Sequence, residues 1–575
     1  MDDSLLTEIK RFALINALQY EGKANPKAVL GKVLGVHPEL RSKAKEVLLQ
    51  VEKIVSEVNS MSIEKQKKDL EDLGGEIRKK DKKQKEKQLP PLPEVDKFNK
   101  IVMRLAPFPS GPLHIGNARM VILNDEYVKR YKGTLILAYD DTIGSETKPI
   151  IPEAYDLIKE GLEWLGVKWH KTIYKSDRVE IFYKYAKKLI ERGKAYVCTC
   201  NPDMFRDEYK AKKKPCPHRN TPIEDNLEKW DKMLAGEYKE KEAVLRLKTG
   251  MELENPAIRD VPIMRISMRE HPRVGTKYIV WPLLEFNWAI DDHLLGVTHI
   301  LRGKDLIKED IIESFVWDVF GWQKSVFVHY GRIRFKGISL SKSHASKMIK
   351  EGKYFGWDDP RVWSLQSLKS RGIFPEALRK VIVSMGLSLT DIEFAPETLY
   401  AENRRIIDPI ANRYFCVIDP VKIIVKNLPF SERRVKIQKH PDFPDRGFRV
   451  IRVNIVDNQA EIYISEKDWR VLKNGSIVRL KDFVNIKVVS KDNKITEYHS
   501  KSIEEGRKAG AKIIHWVPSD TFKHVNIVMP AGQMKKGIAE ESVKELKNGD
   551  IVQFERFGFV KIHKVNPILG YYAHS

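Results

Sequence analysis

Between Ile101 and Tyr139 the hydrophobic pattern changes period twice within about 40 residues, and this constrains the fold more than any other stretch. Ile101 to Leu105 has the length and apolar character of a buried strand, and Pro107 to Pro112 is a turn-rich loop. Ile115, Ala118 and Ile122 then recur at helical spacing toward Gly133, and Thr134 to Tyr139 reads as a second strand. Strand, loop, helix and strand in this order form a βαβ unit. Its right-handed crossover makes the two strands parallel and puts ligands beyond their carboxyl ends. The loop at Pro107 to Pro112 and the acids Asp140 and Asp141 are therefore expected on one rim. Two further helices are expected, one from Pro152 to Leu165 ending at Gly166, the other from Asp177 to Arg192, capped by Ser176 and stopped by Gly193.

The flanking segments differ in kind. From Leu5 to about Ile63 apolar residues such as Val47, Val51, Ile54 and Val55 recur at helical spacing, which predicts a small helical module. Lys65 to Lys87 is dominated by charged and amide side chains and is followed by Pro90, Pro91 and Pro93. That composition buries too little apolar surface to fold alone, so it predicts a linker with at most a frayed helix. From Arg449 onward strand-like stretches, among them Arg449 to Val456, Glu461 to Ser465, Ile486 to Val489 and Phe522 to Val528, alternate with turns in the manner of all-β barrels.

Charge narrows the function. With 102 Lys and Arg against 79 Asp and Glu, the formal net charge is +23, which calls for an anionic partner such as nucleic acid, an acidic membrane surface or a polyphosphate. No run approaches the roughly 18 apolar residues of a membrane span, and Met1 to Lys10 carries charges where a signal peptide is apolar. A soluble, cytoplasmic protein with no membrane role is expected. Of the four cysteines, Cys198, Cys200 and Cys216 crowd together beside His218. Three thiolates and one imidazole make the donor set of a closed, structural Zn²⁺ site, although the CxC and CxH spacings are tighter than the common CxxC knuckle. Reduced cysteines without a metal are the alternative.

Neither a Walker A loop nor GxGxxG occurs, so a phosphate site has to be built otherwise. Pro107-Phe-Pro-Ser-Gly-Pro-Leu-His114-Ile-Gly116-Asn117 leads from a strand into a helix amino terminus, whose unpaired N–H groups suit an anion. Gly116, lacking Cβ, would let a nucleotide approach the backbone. Ser339-Leu-Ser341-Lys342-Ser343 offers a lysine on a flexible loop. Taken singly, each string is also compatible with an ordinary structural or solvated loop.

Together, in this order, they resemble the HIGH and KMSKS signatures of class I aminoacyl-tRNA synthetases. Asp291-Asp-His-Leu-Leu-Gly-Val-Thr-His299-Ile-Leu-Arg302-Gly-Lys-Asp305 resembles the second-half segment of the glutamyl/glutaminyl subfamily. Leu105-Ala-Pro-Phe-Pro-Ser-Gly, Ala138-Tyr-Asp-Asp-Thr, Gly356-Trp-Asp-Asp-Pro-Arg361 and Ile514-His-Trp-Val517 resemble its archaeal and eukaryotic-type branch. The resemblance runs from about Val102 to the end of the chain. It implies a multidomain α/β + β fold: a class I Rossmann-type catalytic domain with an inserted acceptor-binding domain, an N-terminal helical module and C-terminal β-barrel anticodon-binding domains. The expected division is 1–63 for the helical module, 64–97 for the linker, 98–195 for the first catalytic half and 196–280 for the acceptor-end insertion with its zinc knuckle. The second catalytic half with the KMSKS-like loop follows at 281–350, the helical stem-contact region at 351–410 and the anticodon-binding barrels at 411–575.

The implied reaction joins L-glutamate to tRNA(Glu) with ATP and Mg²⁺ through a glutamyl-adenylate, and tRNA(Gln) stays open as a second substrate. By the same resemblance, glutamate activation requires bound tRNA. Pro107, His114, Gly116, Asn117, Ser341 and Lys342 are expected around ATP, with His114 and Lys342 catalytic. A buried γ-carboxylate needs an opposite charge and bidentate donors, which an amide substrate would leave unpaired. Arg302 stands where glutamyl enzymes carry arginine. Arg104 would supply the second guanidinium, and Asp140 would hold the substrate α-ammonium. Asn117 departs from the histidine that ends the HIGH string, Ser339 replaces the first lysine of KMSKS, and Leu284 stands near the usual tyrosine of the amino-acid pocket. These departures keep two alternatives open, a catalytically weakened tRNA-binding paralogue and a glutaminyl enzyme. A monomer is expected, and the helical module is a candidate dock for a protein partner or tRNA.

Overall fold

The computed structural model describes residues 3–19, 22–37, 40, 44–73, 88–143, 149–338 and 340–575. The chain divides into two compact units, Met1–Glu86 and Lys87–Ser575. In the first, helices α1 (Asp3–Gln19), α2 (Pro26–Val36), α3 (Ala44–Asn59) and α4 (Ile63–Asp72) surround a core that includes Ile9, Leu14, Val33, Val47, Val51 and Leu70. Asn25 caps α2, its Oδ1 accepting the N–H groups of Lys27 at 3.0 Å and Ala28 at 3.3 Å, and Pro26 occupies the first turn. Helix α4 crosses the boundary expected at residue 63. Its charged sequence folds because Leu70 reaches the core and the buried Gln66 amide donates to the carbonyls of Gly22 at 2.9 Å and Val58 at 2.8 Å. Residues 74–87 of the expected linker lie outside the described residues. Its last stretch, 88–97, packs into the second unit, where Leu89 and Leu92 join the core and Tyr127 Oη donates to Pro90 O at 2.8 Å, because the prolines leave their carbonyls and apolar neighbours free to pack.

The second unit opens with parallel strands β1 (Val102–Leu105), β2 (Thr134–Tyr139) and β3 (Lys171–Tyr174), hydrogen-bonded in that order. Helices α5 (Ile115–Arg130) and α6 (Ala154–Trp164) form the crossovers, as the sequence predicts. The expected helix at Asp177 begins later, as α7 (Val179–Glu191), after a 3₁₀ turn at Lys175–Arg178. Ser176 is not its cap. The hydroxyl of Ser176 donates to Asp141 Oδ2 at 2.7 Å and its N–H to Asp141 Oδ1 at 2.9 Å, since a fully buried carboxylate needs donors more than a helix end near solvent does.

Strands β4 (Ala195–Cys198), β5 (Val244–Leu247), β6 (Pro262–Ile266) and β7 (Val280–Pro282) form an antiparallel sheet with helix α8 (Ile223–Ala235) packed on β4. The chain then returns to the parallel layer through α9 (Leu284–Leu294), β8 (His299–Gly303), α10 (Ile307–Phe320) and β9 (Val326–Tyr330), with β8 and β9 parallel. Thr298 joins this pair to β1, its Oγ1 accepting from Val102 N at 2.9 Å while its own N–H donates to Val102 O at 2.9 Å. Helix α11 (Lys342–Lys350) follows.

From residue 412 the chain builds two seven-stranded sheets, one nested within the other. Strands Asn412–Tyr414 and Cys416–Ile418 are the two edges of one sheet, whose remaining strands lie between Phe522 and His574. The other sheet, from Pro420 to Pro518, has Lys512–Ile514 and Val517–Pro518 as its edges. In each case the two edge strands are separated by only one or two residues, Phe415 or His515-Trp516, so each sheet wraps until its edges nearly meet, which shields them from foreign pairing. The aromatic corners Phe415 and Trp516 are fully buried in a shared core.

Candidate active site

A cavity of about 1010 Å³ opens at the carboxyl ends of β1 and β2, where the βαβ argument puts a ligand. Pro107, His114, Asn117 and Asp140 line one side, and Ser341 and Lys342, from the start of α11, line the other. The two strings recognised in the sequence thus meet across one space. His114 is the N-cap of α5: its Nδ1 accepts the Gly116 N–H at 3.0 Å, and Asn117 Oδ1 accepts the His114 N–H at 3.2 Å. Because Nδ1 is an acceptor, the imidazole proton lies on Nε2. Burial, reinforced by the Lys342 ammonium, lowers the His114 pKa to about 4, so at neutral pH the ring is a neutral donor and not a cation. Asn117, the departure from the usual string, spends its side-chain oxygen on the capping box.

Gly116 is absent from the cavity wall. A Cβ there would stand 2.9 Å from His114 Cε1 and 3.3 Å from Leu340 Cδ1, so the missing methyl makes room for the histidine cap and not directly for a nucleotide. Lys342 Nζ lies 3.4 Å from the Gly111 carbonyl oxygen, and Ser341 Oγ caps α11 by accepting the His344 N–H at 3.2 Å. Ser339 lies outside the described residues.

The other end of the cavity is backed by a buried charge network. Arg104 at the end of β1, Arg302 on β8 and Lys175 after β3 converge on the indole of Trp288, at 4.5, 5.2 and 5.2 Å from its ring centre. Neither guanidinium lines the cavity. Arg104 donates from Nε and Nη2 to the two oxygens of Asp292, both at 2.7 Å. Arg302 donates from Nη1 to Glu313 Oε1 at 2.7 Å and from Nε to Asp310 Oδ1 at 3.0 Å, with Nη2 also on Asp310. Burial pushes the Glu313 carboxyl up to about 7 against the pull of Arg302. The expected pair of arginines is therefore brought together, one layer behind the wall, and already holds internal carboxylates. Asp140 does reach the cavity, with Leu283, Leu284 and Glu285 beside it.

Sequence reasoning missed Lys175, Asn287, Trp288 and Glu313. Glu313 carried a signal: it sits between Ile311-Ile312 and Phe315-Val316-Trp317 in a largely apolar helical stretch, where an acid is forced inward. Lys175 carried none, since a lysine at a strand end is ordinarily solvated.

The Cys198, Cys200, Cys216 and His218 donor atoms all lie within 4.8 Å of one another. Cys198 Sγ and Cys216 Sγ are 3.9 Å apart, close to the roughly 3.8 Å edge of a tetrahedron with 2.3 Å zinc–sulfur bonds. His218 turns Nδ1 toward Cys200 Sγ at 3.3 Å and places Nε2 at 2.9 Å from Thr199 Oγ1, the outer contact that fixes a metal-binding imidazole. The four residues fit a metal ion. Cys198 ends β4, and Cys216 and His218 lie at the short turn Pro217–Asn220.

Residues 100–408 match the model of the tRNA synthetases class I (E and Q) catalytic domain, and 411–503 and 513–563 match two models of the anti-codon binding domain of the same class. The chain is similar to the glutamate–tRNA ligase of Pyrococcus furiosus, 48% identical with 98% of this chain and 99% of the relative covered, and equally to that of Pyrococcus abyssi. The glutamate–tRNA ligase of Methanocaldococcus jannaschii is 47% identical, with 97% of each chain covered.

Proposed function

The chain belongs to the class I tRNA synthetases of glutamate and glutamine and is an ATP-dependent glutamate–tRNA ligase, and from that premise we propose how its residues divide the work. ATP with Mg²⁺ occupies the cavity between Pro107, His114 and Asn117 on one side and Ser341 and Lys342 on the other. Glutamate lies toward Asp140, which takes its α-ammonium. Arg104 and Arg302, held behind the wall by Asp292, Asp310 and Glu313, select its second carboxylate by exchanging those internal carboxylates for it. The single observation that carries this reading is the meeting of His114 and Lys342 across one cavity that Asp140 also lines.

In the first step the substrate α-carboxylate attacks the α-phosphate and pyrophosphate leaves. In the second, the terminal ribose hydroxyl of the tRNA attacks the mixed anhydride and releases AMP. The protein forms no covalent bond. Its task is to position the reactants and to meet the charge that develops on the phosphorus oxygens. His114 offers the Nε2 proton as a neutral donor that costs no charge desolvation. Lys342, on a helix start, follows the phosphate as a point charge.

Cys198, Cys200, Cys216 and His218 hold a structural Zn²⁺ that ties the end of β4 to the turn at Pro217–Asn220. Four protein ligands leave no open coordination position for catalysis. The insertion at 196–280 receives the acceptor end, residues 351–410 contact the stem, and the nested sheets at 411–575 read the anticodon arm. ATP–pyrophosphate exchange with glutamate or glutamine, each with and without tRNA(Glu), tests the reading. Exchange with glutamate in the presence of tRNA is expected, and exchange with glutamine alone would replace it with a glutaminyl enzyme.

A further inference from the structure

Lys175 is the least expected residue near the cavity. It is 1% exposed, its Nζ donates to Asn287 Oδ1 and it stands 3.6 Å from Asp140 Oδ1, which also accepts from Asn287 Nδ2 at 3.3 Å. An ammonium group withdrawn from water this completely costs several kcal/mol unless it meets an anion with good geometry. The chain nevertheless carries it behind Asp140, a carboxylate that faces both the cavity and this charge network.

We propose that Lys175 is a positioning residue for glutamate: with Asn287 it fixes Asp140 Oδ1 and keeps that carboxylate ionised, leaving Oδ2 turned to the cavity for the substrate ammonium. The inference rests on the reading of Asp140 as the ammonium site. Three observations support it. First, the two internal contacts both fall on Oδ1, and no hydrogen bond reaches Oδ2 among the described residues. Second, the Asp140 N–H donates to Pro107 O at 3.1 Å, so the backbone is held while the carboxylate is oriented from behind. Third, burial pushes the Asp140 carboxyl up and the Lys175 ammonium is the largest influence opposing it.

The other charges facing this pair cannot replace the lysine. Arg104, on β1, is committed to Asp292 through two bonds. Asp141, fully buried beside Asp140, is an anion that raises the Asp140 carboxyl further, and Asp291 and Asp292, on α9, face the Lys175 ammonium; Arg178 is bonded to Asp291 at 2.7 Å. Without the lysine, burial and Asp141 would push the Asp140 carboxyl further up, and once protonated it would lose its attraction for an ammonium group.

The test is the apparent KM for glutamate in tRNA charging between pH 6 and 9, for the wild type and for Lys175→Met, Lys175→Gln, Lys175→Arg and Asp140→Asn, with KM for ATP measured alongside. Lys175→Met is expected to raise KM for glutamate about tenfold or more at the acid end of this range, since each unit by which the Asp140 titration moves above the working pH cuts its ionised fraction tenfold. The increase should shrink as pH rises and Asp140 ionises again, and KM for ATP should stay within about twofold. Lys175→Gln keeps a donor for Asn287 without the charge. It is expected to show the same pH-dependent increase, which decides the matter if the methionine variant does not fold. Lys175→Arg should recover most of the affinity.

A glutamate KM unchanged in Lys175→Gln, or raised equally at every pH, would overturn the proposal while Asp140→Asn remains impaired. If Asp140→Asn itself binds glutamate normally, both the proposal and the reading of Asp140 fall.

Discussion

Arg104 and Asp292 are joined by two parallel hydrogen bonds of 2.7 Å, Nε to Oδ1 and Nη2 to Oδ2, between side chains that are 7% and 1% exposed. The bond links the first strand of the catalytic layer to helix α9, across 188 residues of sequence, and sets the Arg104 guanidinium over Trp288, 4.5 Å from its ring centre. Asp292→Ala leaves this guanidinium buried without its counter-charge, a change that costs about 3–5 kcal/mol in comparable sites. A marked fall in thermal unfolding temperature together with a raised KM for glutamate is expected. Calorimetry and charging kinetics on the same preparation check it.

Gly116 shapes the histidine cap without touching the cavity. Gly116→Ala puts a methyl within 2.9 Å of His114 Cε1 and displaces the ring by a few tenths of an ångström or more. Because misplacing a group near the reacting atoms by about 1 Å can cost about 100-fold in rate, kcat should fall far more than folding stability does. Pre-steady-state charging and thermal unfolding would separate the two.

His114 should titrate well below neutrality. Burial and Lys342 hold its pKa down to about 4 in the folded chain, against 6.5 for an unperturbed imidazole. The unfolded chain therefore binds more protons between these values, so this residue's contribution to stability is complete above pH 6.5 and is lost as pH falls through about 4. An imidazole resonance with a midpoint near 4, absent in His114→Asn, is the expected NMR signature. A midpoint near 6.5 would mean that the ring is solvated and uncapped.

Metal analysis should find one zinc per chain. Cys198→Ser should lose it and unfold the insertion locally, lowering charging of tRNA. Thr199→Val, which removes only the outer contact to His218 Nε2, should weaken zinc retention about 10- to 100-fold against a competing chelator with little change in fold.

The catalytic layer was legible because its determinants are local. The period changes from Ile101 to Tyr139 reproduce β1, α5 and β2 almost to the residue, and the turn-rich loop sits on the rim that the crossover rule assigns. Three strands of the nested sheets, Ala460–Ser465, Asn485–Ser490 and Phe522–Val528, were legible for the same reason, whereas the stretch read at Arg449 to Val456 pairs with Glu432–Gln438 in a separate hairpin. The nesting of the two sheets was not, because it depends on Phe415 and His515-Trp516 folding each edge back on the other, a long-range pairing with no local period.

The site divides similarly. His114 and Lys342, singled out by their strings, line one cavity, and Cys198, Cys200, Cys216 and His218, singled out by chemistry and spacing, cluster together. The inward turn of Arg104 and Arg302 toward Asp292, Asp310 and Glu313, and the burial of Lys175 behind Asp140, arise from tertiary packing. Single-residue reasoning assigned the arginines to substrate and gave no account of the acids that already hold them. It also gave Ser176 to a helix end that proved less demanding than the buried Asp141.

The most direct test of the whole account is the ratio of kcat/KM for glutamate to that for glutamine in charging of tRNA(Glu), measured for the wild type and Arg302→Ala. We expect the wild type to favour glutamate by several orders of magnitude and the arginine variant to lose most of that preference through a raised KM for glutamate. A wild type that charges glutamine as readily, or an Arg302→Ala enzyme whose preference is unchanged, would contradict it.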